Sequence, residues 1–231
     1  MIMDQHAKPP AATHSQRYLE QASRIALEID HESVERIALE LAALRDRGGR
    51  LFFIGVGGSA ANCAHAVNDF RKLAGIECYS PCENVAELTA RTNDEGWATV
   101  FDAWLRVSRA SARDALFVLS VGGGDSARNV SPNIVRAVDE ARRRGMSVYG
   151  VVGRADGHTA LHGDVVVVVP TIDPAFVTPH SESFQAVVWH CIVCHPRLMA
   201  RSNRWESLER TAARAEAEAL PSDEPQAVAA R

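Results

Sequence analysis

The fold is decided by the stretch LFFIGVGGSAANCAHAVND, residues 51–69. A short apolar run stops at glycines, and a helical pattern of small residues then begins. The run predicts a buried parallel strand, and the glycines let the backbone approach a ligand where the next helix starts. His65 and Asp69 lie four residues apart, so both side chains can reach one point on that helix. The stretch therefore predicts a phosphate cradle followed by a metal-binding or acid–base pair.

The composition is that of an ordinary globular protein. The chain has 231 residues, of which 46% are hydrophobic and 23% charged. This is enough for a sizeable core and is typical of one domain with appendages. The net charge of −4, without a basic block, argues against a nucleic-acid binder. We therefore predict no nucleic-acid partner.

The sequence also predicts where the protein works. No stretch is apolar enough to cross a bilayer, and residues 1–15 lack the apolar centre of a secretory signal. Five cysteines are an odd number, and their spacing is not that of a disulfide framework. These features predict a cytoplasmic protein without a membrane partner.

Alternating patterns predict an α/β domain over residues 15–200. Two helices over 16–47 precede an α/β core over 50–198, whereas residues 1–14 are predicted to be disordered and 201–231 to form a helical or disordered tail. The predicted strands cover 51–55, 77–80, 114–120, 147–153 and 164–170, and the predicted core helices cover 58–73, 82–92, 97–111, 132–144, 158–162 and 181–198. This order favours a doubly wound, mainly parallel five-stranded sheet flanked by helices, with an N-terminal helical extension.

Two glycine loops fall where predicted strands end, which is where such sheets bind ligands. The first contains Gly57 and Gly58 and matches the dinucleotide pattern G-x-G-x-x-A over 55–60, with Glu77 near the place of a ribose-binding acid. The second loop combines glycine amides with serine hydroxyls, a composition typical of a phosphate nest. Its candidate phosphate-binding residues are Ser120, Gly122, Gly123, Gly124, Ser126 and Ser131. Two such loops favour binding of a phosphorylated small molecule.

The last predicted helix carries two further polar candidates. Glu182 and His190 are eight residues apart, slightly over two turns, and so share one broad face. A single histidine in an apolar helix is more often a core residue than a ligand. Together with His65 and Asp69, however, these residues form a plausible site for a divalent metal, for which Zn²⁺ is the commonest match.

The chain resembles the sugar isomerase (SIS) family, and within it the phosphoheptose isomerases. The resemblance runs from about residue 16 to 198 and rests on several segments of the sequence. They are the Gly-Val-Gly-Gly-Ser-Ala-Ala stretch at 55–61, His65 with Asp69, Asn93-Asp94-Glu95-Gly96, residues 145–154, and Glu182 with His190. The resemblance implies a homotetramer with the doubly wound SIS fold and bound zinc. It also implies conversion of sedoheptulose 7-phosphate to a D-glycero-heptose 7-phosphate.

The resemblance further implies roles for individual residues. His65, Asp69, Glu182 and His190 would be the metal ligands, with a carboxylate and His190 as the acid–base pair. Ser59, Ser120 and the second loop would hold phosphate, and Asn93 and Asp94 would contact substrate. This chain has Val56 for the family's asparagine, Asp69 for its glutamate, Glu182 for its glutamine and a longer second loop. We therefore expect a divergent branch.

Two alternatives of other classes stay open from the sequence. A non-catalytic SIS module could sense a sugar phosphate; the retained acid–base residues argue against it, but the altered second loop leaves it open. A nicotinamide-dependent dehydrogenase would follow from the G-x-G-x-x-A match alone.

Overall fold

A computed structural model describes residues 12–202 of the chain. The described residues up to Ala200 belong to one compact unit. The predicted disordered N-terminus and the predicted tail lie almost wholly outside the described residues. Within residues 12–202, no helix is both long enough and apolar enough to cross a membrane.

Eight α-helices and five strands alternate along residues 12–202. The helices are α1 His14–Glu28, α2 His31–Asp46, α3 Gly58–Asp69, α4 Val85–Asp94, α5 Val100–Val107, α6 Pro132–Arg143, α7 His158–His162 and α8 Val177–Val193. The strands are β1 Arg50–Ile54, β2 Glu77–Tyr79, β3 Ala115–Ser120, β4 Ser147–Val152 and β5 Val165–Val168. Short 3₁₀ turns precede α4, α5 and α8.

The five strands form one parallel sheet in the order β2-β1-β3-β4-β5. Leu51 of β1 pairs with Cys78 on one side and with Ala115 on the other. The prediction of a doubly wound parallel sheet is confirmed. The chain reverses its winding direction between β1 and β3, and this switch point opens a crevice at the carboxyl ends of the two strands.

Helices cover both faces of the sheet. Phe53 and Phe117 face a core shared with α1, α2, α3 and α8. Phe52 and Leu116 point to the opposite face, where α5 and α6 cover them. Neighbouring strand residues alternate between the two cores because side chains alternate along a strand. The elements that carry the predicted metal ligands, α3 and α8, therefore lie on the same side of the sheet.

Several element boundaries differ from the predictions, and three of them have a clear physical reason or continuation. Helix α8 begins at Val177 rather than at 181, because Pro179 lies in its first turn, where a proline costs no hydrogen bond. It ends at Val193 rather than 198, since the residue before Pro196 disfavours helical backbone. Helix α3 ends at Asp69, and a π turn continues it over Phe70–Ala74.

The run of five valines at 165–169 predicts that strand β5 is fully buried, and this prediction is wrong. Val165 and Val167 are buried, whereas Val166 and Val168 are partly exposed. The reason is that β5 is an edge strand, paired only with β4.

A buried ion pair anchors the amino ends of β1 and β3. The Asp114 side chain is 4% exposed and accepts hydrogen bonds from the Arg50 backbone N–H at 3.0 Å, from Arg50 Nη2 at 2.9 Å and from the Ser111 N–H at 2.9 Å. Burial opposes ionisation of this carboxyl, but the bonds from Arg50 and Ser111 outweigh it and lower the pKa of Asp114 below 3.8. The ion pair therefore stabilises the folded protein when Asp114 is ionised.

Replacing Asp114 by alanine is expected to lower the free energy of unfolding by about 3 kcal/mol, because Arg50 loses its buried partner. The stabilising effect of Asp114 in the wild type should be present above the unfolded pKa and disappear as the pH falls through the lower folded value. Urea titrations at several pH values measure both effects. Asp46→Ala removes an exposed carboxylate and should change little; equal losses in the two variants would contradict the prediction.

Candidate metal and ligand site

The two glycine loops lie at the switch point of the sheet. The first follows β1 at Gly55–Gly57, and the second follows β3 from Val121. Because β1 and β3 are neighbouring parallel strands, both loops leave the same edge of the sheet. This edge is where ligands bind in doubly wound folds.

The first loop needs glycine at two positions. A Cβ on Gly55 would lie 2.7 Å from the Ser59 carbonyl oxygen and 2.9 Å from that of Leu119, so the loop packs backbone against backbone there. Gly57 has φ of 62° and ψ of −127°, a conformation that side chains disfavour, and it precedes the first residue of α3. Gly57 and Gly58 are exposed, so their backbone is open to a ligand.

Glu182 of α8 lies against the start of α3. A Cβ on Gly58 would come within 2.7 Å of both carboxylate oxygens of Glu182. The absence of a side chain at Gly58 thus makes room for this carboxylate beside the N-terminus of α3. A negative charge is favourable at a helix N-terminus because of the helix dipole.

His65, Asp69 and His190 come together between α3 and α8. Oδ2 of Asp69 lies 3.7 Å from Nε2 of His65 and 3.7 Å from Nε2 of His190. The two imidazole rings are edge to face, with centroids 5.3 Å apart. One ligand atom from each residue lies within 4.8 Å of the others, so the cluster can hold a metal ion.

The surroundings of this cluster orient its ligand atoms. Nδ1 of His190 lies 2.8 Å from the Ala186 carbonyl oxygen, so it donates a proton there and leaves the Nε2 lone pair facing Asp69. The Asn68 amide donates to Oδ1 of Asp69 at 2.8 Å, which leaves Oδ2 towards the histidines. The side chains of His65 and His190 are about half exposed, so the cluster is accessible.

The donor set fits zinc. Two imidazole nitrogens and one carboxylate oxygen are common zinc ligands, and tetrahedral ligands at ~2.0 Å from the ion lie roughly 3.3 Å apart. The observed 3.7 Å separations need only small side-chain movements to reach this geometry. Glu182, the fourth predicted ligand, lies against Gly58 and is not part of the three-residue cluster.

Ser59 lies inside the protein rather than in the crevice. The residue is 2% exposed, and its Oγ accepts a hydrogen bond of 3.0 Å from Nε2 of Gln185, which is fully buried. The Asn62 amide donates to Oε1 of Gln185 at 3.0 Å and to the Glu182 carbonyl oxygen at 2.9 Å. These three hydrogen bonds join α3 to α8 between the first loop and the three candidate metal ligands.

The second loop makes many of its hydrogen bonds to residues of the protein itself. The Gly123 N–H donates to Ser120 Oγ at 3.0 Å, and the Gly123 carbonyl accepts from Thr159. Gly123 and Gly124 are buried, with φ of 69° and 80°. Gly122 is only partly buried, and the space around its Cα is open. Of the three consecutive glycines, Gly122 is therefore the one free to contact a ligand.

A tight hairpin forms the outer part of the second loop. Asp125 and Val130 exchange backbone hydrogen bonds, and the carboxylate of Asp125 accepts from the backbone and side chain of Arg128. These bonds lower the pKa of Asp125, and Arg128 balances the negative charge of Asp125 in the predicted phosphate-binding loop. Ser126 is exposed on this hairpin. Ser131 precedes α6 as predicted, but in a left-handed conformation and without a capping hydrogen bond from its side chain.

Three other candidates lie away from the cluster. The residues Asn93-Asp94-Glu95-Gly96 are typical of a turn, but Asn93 and Asp94 are the exposed last residues of α4, which packs on the sheet face opposite α3 and α8. The turn itself follows at Gly96, with φ of 86°. Glu77 begins β2 at the amino end of the sheet, so it lies at the edge opposite the glycine loops and cannot bind a ribose there.

Residues 17–153 match the SIS domain family, a region that runs from α1 to β4 and contains both glycine loops. The chain belongs to the SIS domain family. Among solved structures, this SIS domain is similar to phosphoheptose isomerase GmhA from Neisseria gonorrhoeae, with a TM-score of 0.65 and 27% sequence identity over 78% of this chain and 94% of that one. The prediction of family and fold is confirmed.

Curated relatives of this SIS domain carry one recurrent name. Phosphoheptose isomerase of Maridesulfovibrio salexigens is 29% identical over 186 residues, covering 77% of this chain and 80% of the relative. Phosphoheptose isomerase of Mycobacterium tuberculosis is 33% identical over 156 residues, covering 60% of this chain and 74% of the relative. The likeness to these isomerases thus spans most of their length.

Sequence reasoning missed three residues that organise this SIS domain. Asn62 and Gln185 each follow a candidate residue by three positions, Ser59 and Glu182 respectively, so each lies on the same helix face as a predicted site residue. A polar residue on a face otherwise made of small or apolar side chains was the available signal. Arg128 could have been found from its position three residues after Asp125, a spacing typical of turns closed by an aspartate.

Proposed function

We propose that the protein is a phosphosugar isomerase that interconverts an aldose and a ketose phosphate. The specific reaction proposed is conversion of sedoheptulose 7-phosphate to D-glycero-heptose 7-phosphate. The observation that carries the proposal is that a SIS domain with two glycine loops at its switch point also holds the cluster of His65, Asp69 and His190. The names of the relatives support the same reaction.

Aldose–ketose isomerisation moves a proton between C1 and C2 through an enediolate. It needs a base near the carbon-bound proton and an acid near the carbonyl oxygen. Asp69 or Glu182 is the proposed base, since both carboxylates lie where α3 meets α8, Asp69 beside His190 and Glu182 against Gly58. With Nδ1 held by Ala186, His190 is proposed to serve the oxygen through Nε2: it would act as the acid when Nε2 is protonated, whereas when Nε2 binds a metal the ion would take that role.

The proposed cofactor is Zn²⁺ or another divalent metal, held by His65, Asp69 and His190, with Glu182 reaching the same site by a side-chain rotation. When bound, such an ion stabilises negative charge that develops on the substrate oxygens. The chain's own residues set the positions of these ligands through the bonds to Ala186 and Asn68.

The phosphate group is proposed to bind between the two glycine loops. The open backbone of Gly57, Gly58 and Gly122 supports this, as does the Ser120 hydroxyl, which accepts from Gly123 and keeps its proton for a ligand. Ser126 and Ser131 are further candidates on the second loop. Ser59, Asn93 and Asp94 stay candidate substrate contacts, although Ser59 is buried here and the other two lie on α4. Binding energy at the phosphate then orients the reacting carbons.

A cytoplasmic homotetramer is the proposed form of the enzyme. The exposed apolar side chains Leu19 and Leu27 of α1 and Val187 of α8 support self-association. Size-exclusion chromatography with light scattering measures the assembly.

An NMR assay with sedoheptulose 7-phosphate tests the proposed reaction. We expect a new heptose 7-phosphate signal set and exchange of one carbon-bound proton with solvent deuterium. Pentose and hexose phosphates in parallel define the substrate range. Prior treatment with a chelator should lower the rate at least about 100-fold, and added Zn²⁺ should restore it. Absence of turnover on every sugar phosphate would contradict the proposal.

A non-catalytic sensor of sugar phosphates is the second candidate. The inward-turned second loop favours it, because Gly123 and Gly124 use their backbone groups within the protein. Saturable binding of a sugar phosphate without turnover in the same assay would decide for this candidate.

A further inference from the structure

A buried polar network crosses the interface between α3 and α8, the same interface that brings His65, Asp69 and His190 together. Gln185 of α8 is fully buried, with Oε1 accepting from Asn62 and Nε2 donating to Ser59, both on α3. Asn62 also donates to the backbone carbonyl of Glu182. The amide of Gln185 thus has a partner at each end, and each partner lies on the helix that carries His65 and Asp69.

Apart from Glu182 against Gly58 and the cluster itself, the buried contacts between these helices are apolar and do not define a register. Cys63 and Ala66 of α3, and Trp189 of α8, are fully buried, and Val188 is 3% exposed. Small side chains let the helices approach closely, and apolar contacts are non-directional. Sliding one helix by a single residue, about 1.5 Å, would keep much of this apolar burial. It would break the hydrogen bonds of Gln185.

The distances between the three candidate metal ligands depend on that register. His65 and Asp69 come from α3 and His190 comes from α8, so the 3.7 Å between Asp69 Oδ2 and His190 Nε2 is set by how the two helices are aligned. A site for a metal needs its ligands within about 0.5 Å of the productive geometry. A slide of one residue is three times that tolerance.

We propose that Gln185 is a positioning residue for the divalent-metal centre: through Asn62 and Ser59 it fixes the register of α3 and α8 and thereby the spacing of Asp69 and His190. The inference rests on the proposed function, because it assumes that the cluster binds a metal. Gln185 itself does not contact the ion or the substrate. Its influence on the centre passes through the two helices.

The test is a cobalt(II) absorption titration of purified variants, with thermal unfolding measured in parallel. Gln185→Met keeps the length of the side chain but removes both hydrogen bonds. We expect at least tenfold weaker Co²⁺ binding and a lower Tm. The double variant Ser59→Ala with Gln185→Met also removes one of the polar groups left unpaired, so its Tm should recover towards the wild-type value. Its Co²⁺ affinity should stay low, because the register is still unspecified.

Tyr149→Phe is the matched control. It removes a buried hydrogen bond of 2.8 Å to Glu40, far from the cluster, and should lower the Tm without changing Co²⁺ affinity. A Gln185→Met protein or a double variant that binds Co²⁺ as tightly as the wild type would overturn the inference.

Ser59→Ala alone decides the question if the methionine variants do not fold. It removes one hydrogen bond from the network, and we expect about threefold weaker Co²⁺ binding. Unchanged affinity would overturn the inference.

Failure of the proposed metal centre gives a different pattern, in which the wild type and Asp69→Asn bind Co²⁺ equally weakly. That pattern contradicts the centre and the inference together, whereas tight wild-type binding with unaffected variants contradicts the inference alone.

Discussion

Substituting His190 by alanine is expected to lower kcat for sedoheptulose 7-phosphate at least about 100-fold while the protein stays folded. Nε2 of this imidazole is proposed to serve the substrate oxygen, either as the acid or through the metal that it binds, and the substitution removes both possibilities. Its side chain is 46% exposed, and no large cavity follows from its removal. The NMR assay gives the rate, and circular dichroism with a thermal scan reports folding.

His195→Ala is the matched control for this prediction. His195 lies just beyond the end of α8 and pairs with Glu35 of α2 at 3.0 Å, outside the metal cluster. Its removal should leave kcat within about twofold of the wild type and lower the Tm slightly. Full activity of His190→Ala would rule out the assignment of His190.

Substituting Gly157 by alanine is expected to disrupt the second loop. A Cβ at Gly157 would overlap the carbonyl oxygen of Gly122 and lie 3.2 Å from the carbonyl carbon of Gly122. Both clashes are with backbone, which cannot rotate away, so the loop must shift. We expect the free energy of unfolding to fall by about 2 kcal/mol and sedoheptulose 7-phosphate to bind at least tenfold more weakly. Urea titration and isothermal calorimetry measure the two quantities.

Gly122→Ala separates loop stability from ligand contact. No atom lies within 4 Å of a Cβ built at Gly122, so the folded protein should be as stable as the wild type. The added methyl group would instead project into open space at the proposed phosphate site and weaken binding. Wild-type affinity in both glycine variants would show that phosphate binds away from this loop.

The local parts of the site could be predicted from the sequence because short spacings determine them. Four residues on a helix bring His65 beside Asp69, and the structure places their ligand atoms 3.7 Å apart. Alternation of strands and helices was enough to predict a parallel sheet with both glycine loops at the carboxyl edge. These inferences need only the periodicity of each element and the rules for connecting elements.

Contacts between distant elements could not be predicted in this way. Helical spacing puts Glu182 and His190 on one face of α8 but does not say what each side chain meets. Glu182 lies against Gly58 because α8 packs beside the start of α3, where a glycine leaves room. Likewise, glycine carbonyls of the second loop accept hydrogen bonds from the start of α7. These bonds depend on where residues 157–159 lie beside the loop.

Because α3 and α8 both contribute to the site, it is complete only when the last described helix has docked. α3 follows the first strand of the sheet and α8 follows the fifth, so four of the five strands lie between Asp69 and His190 in the chain. A cation held by both residues would close that long loop and would stabilise only chains in which α8 has docked. Metal uptake would then report completed folding, and a chain that stops before α8 would have a sheet without a centre.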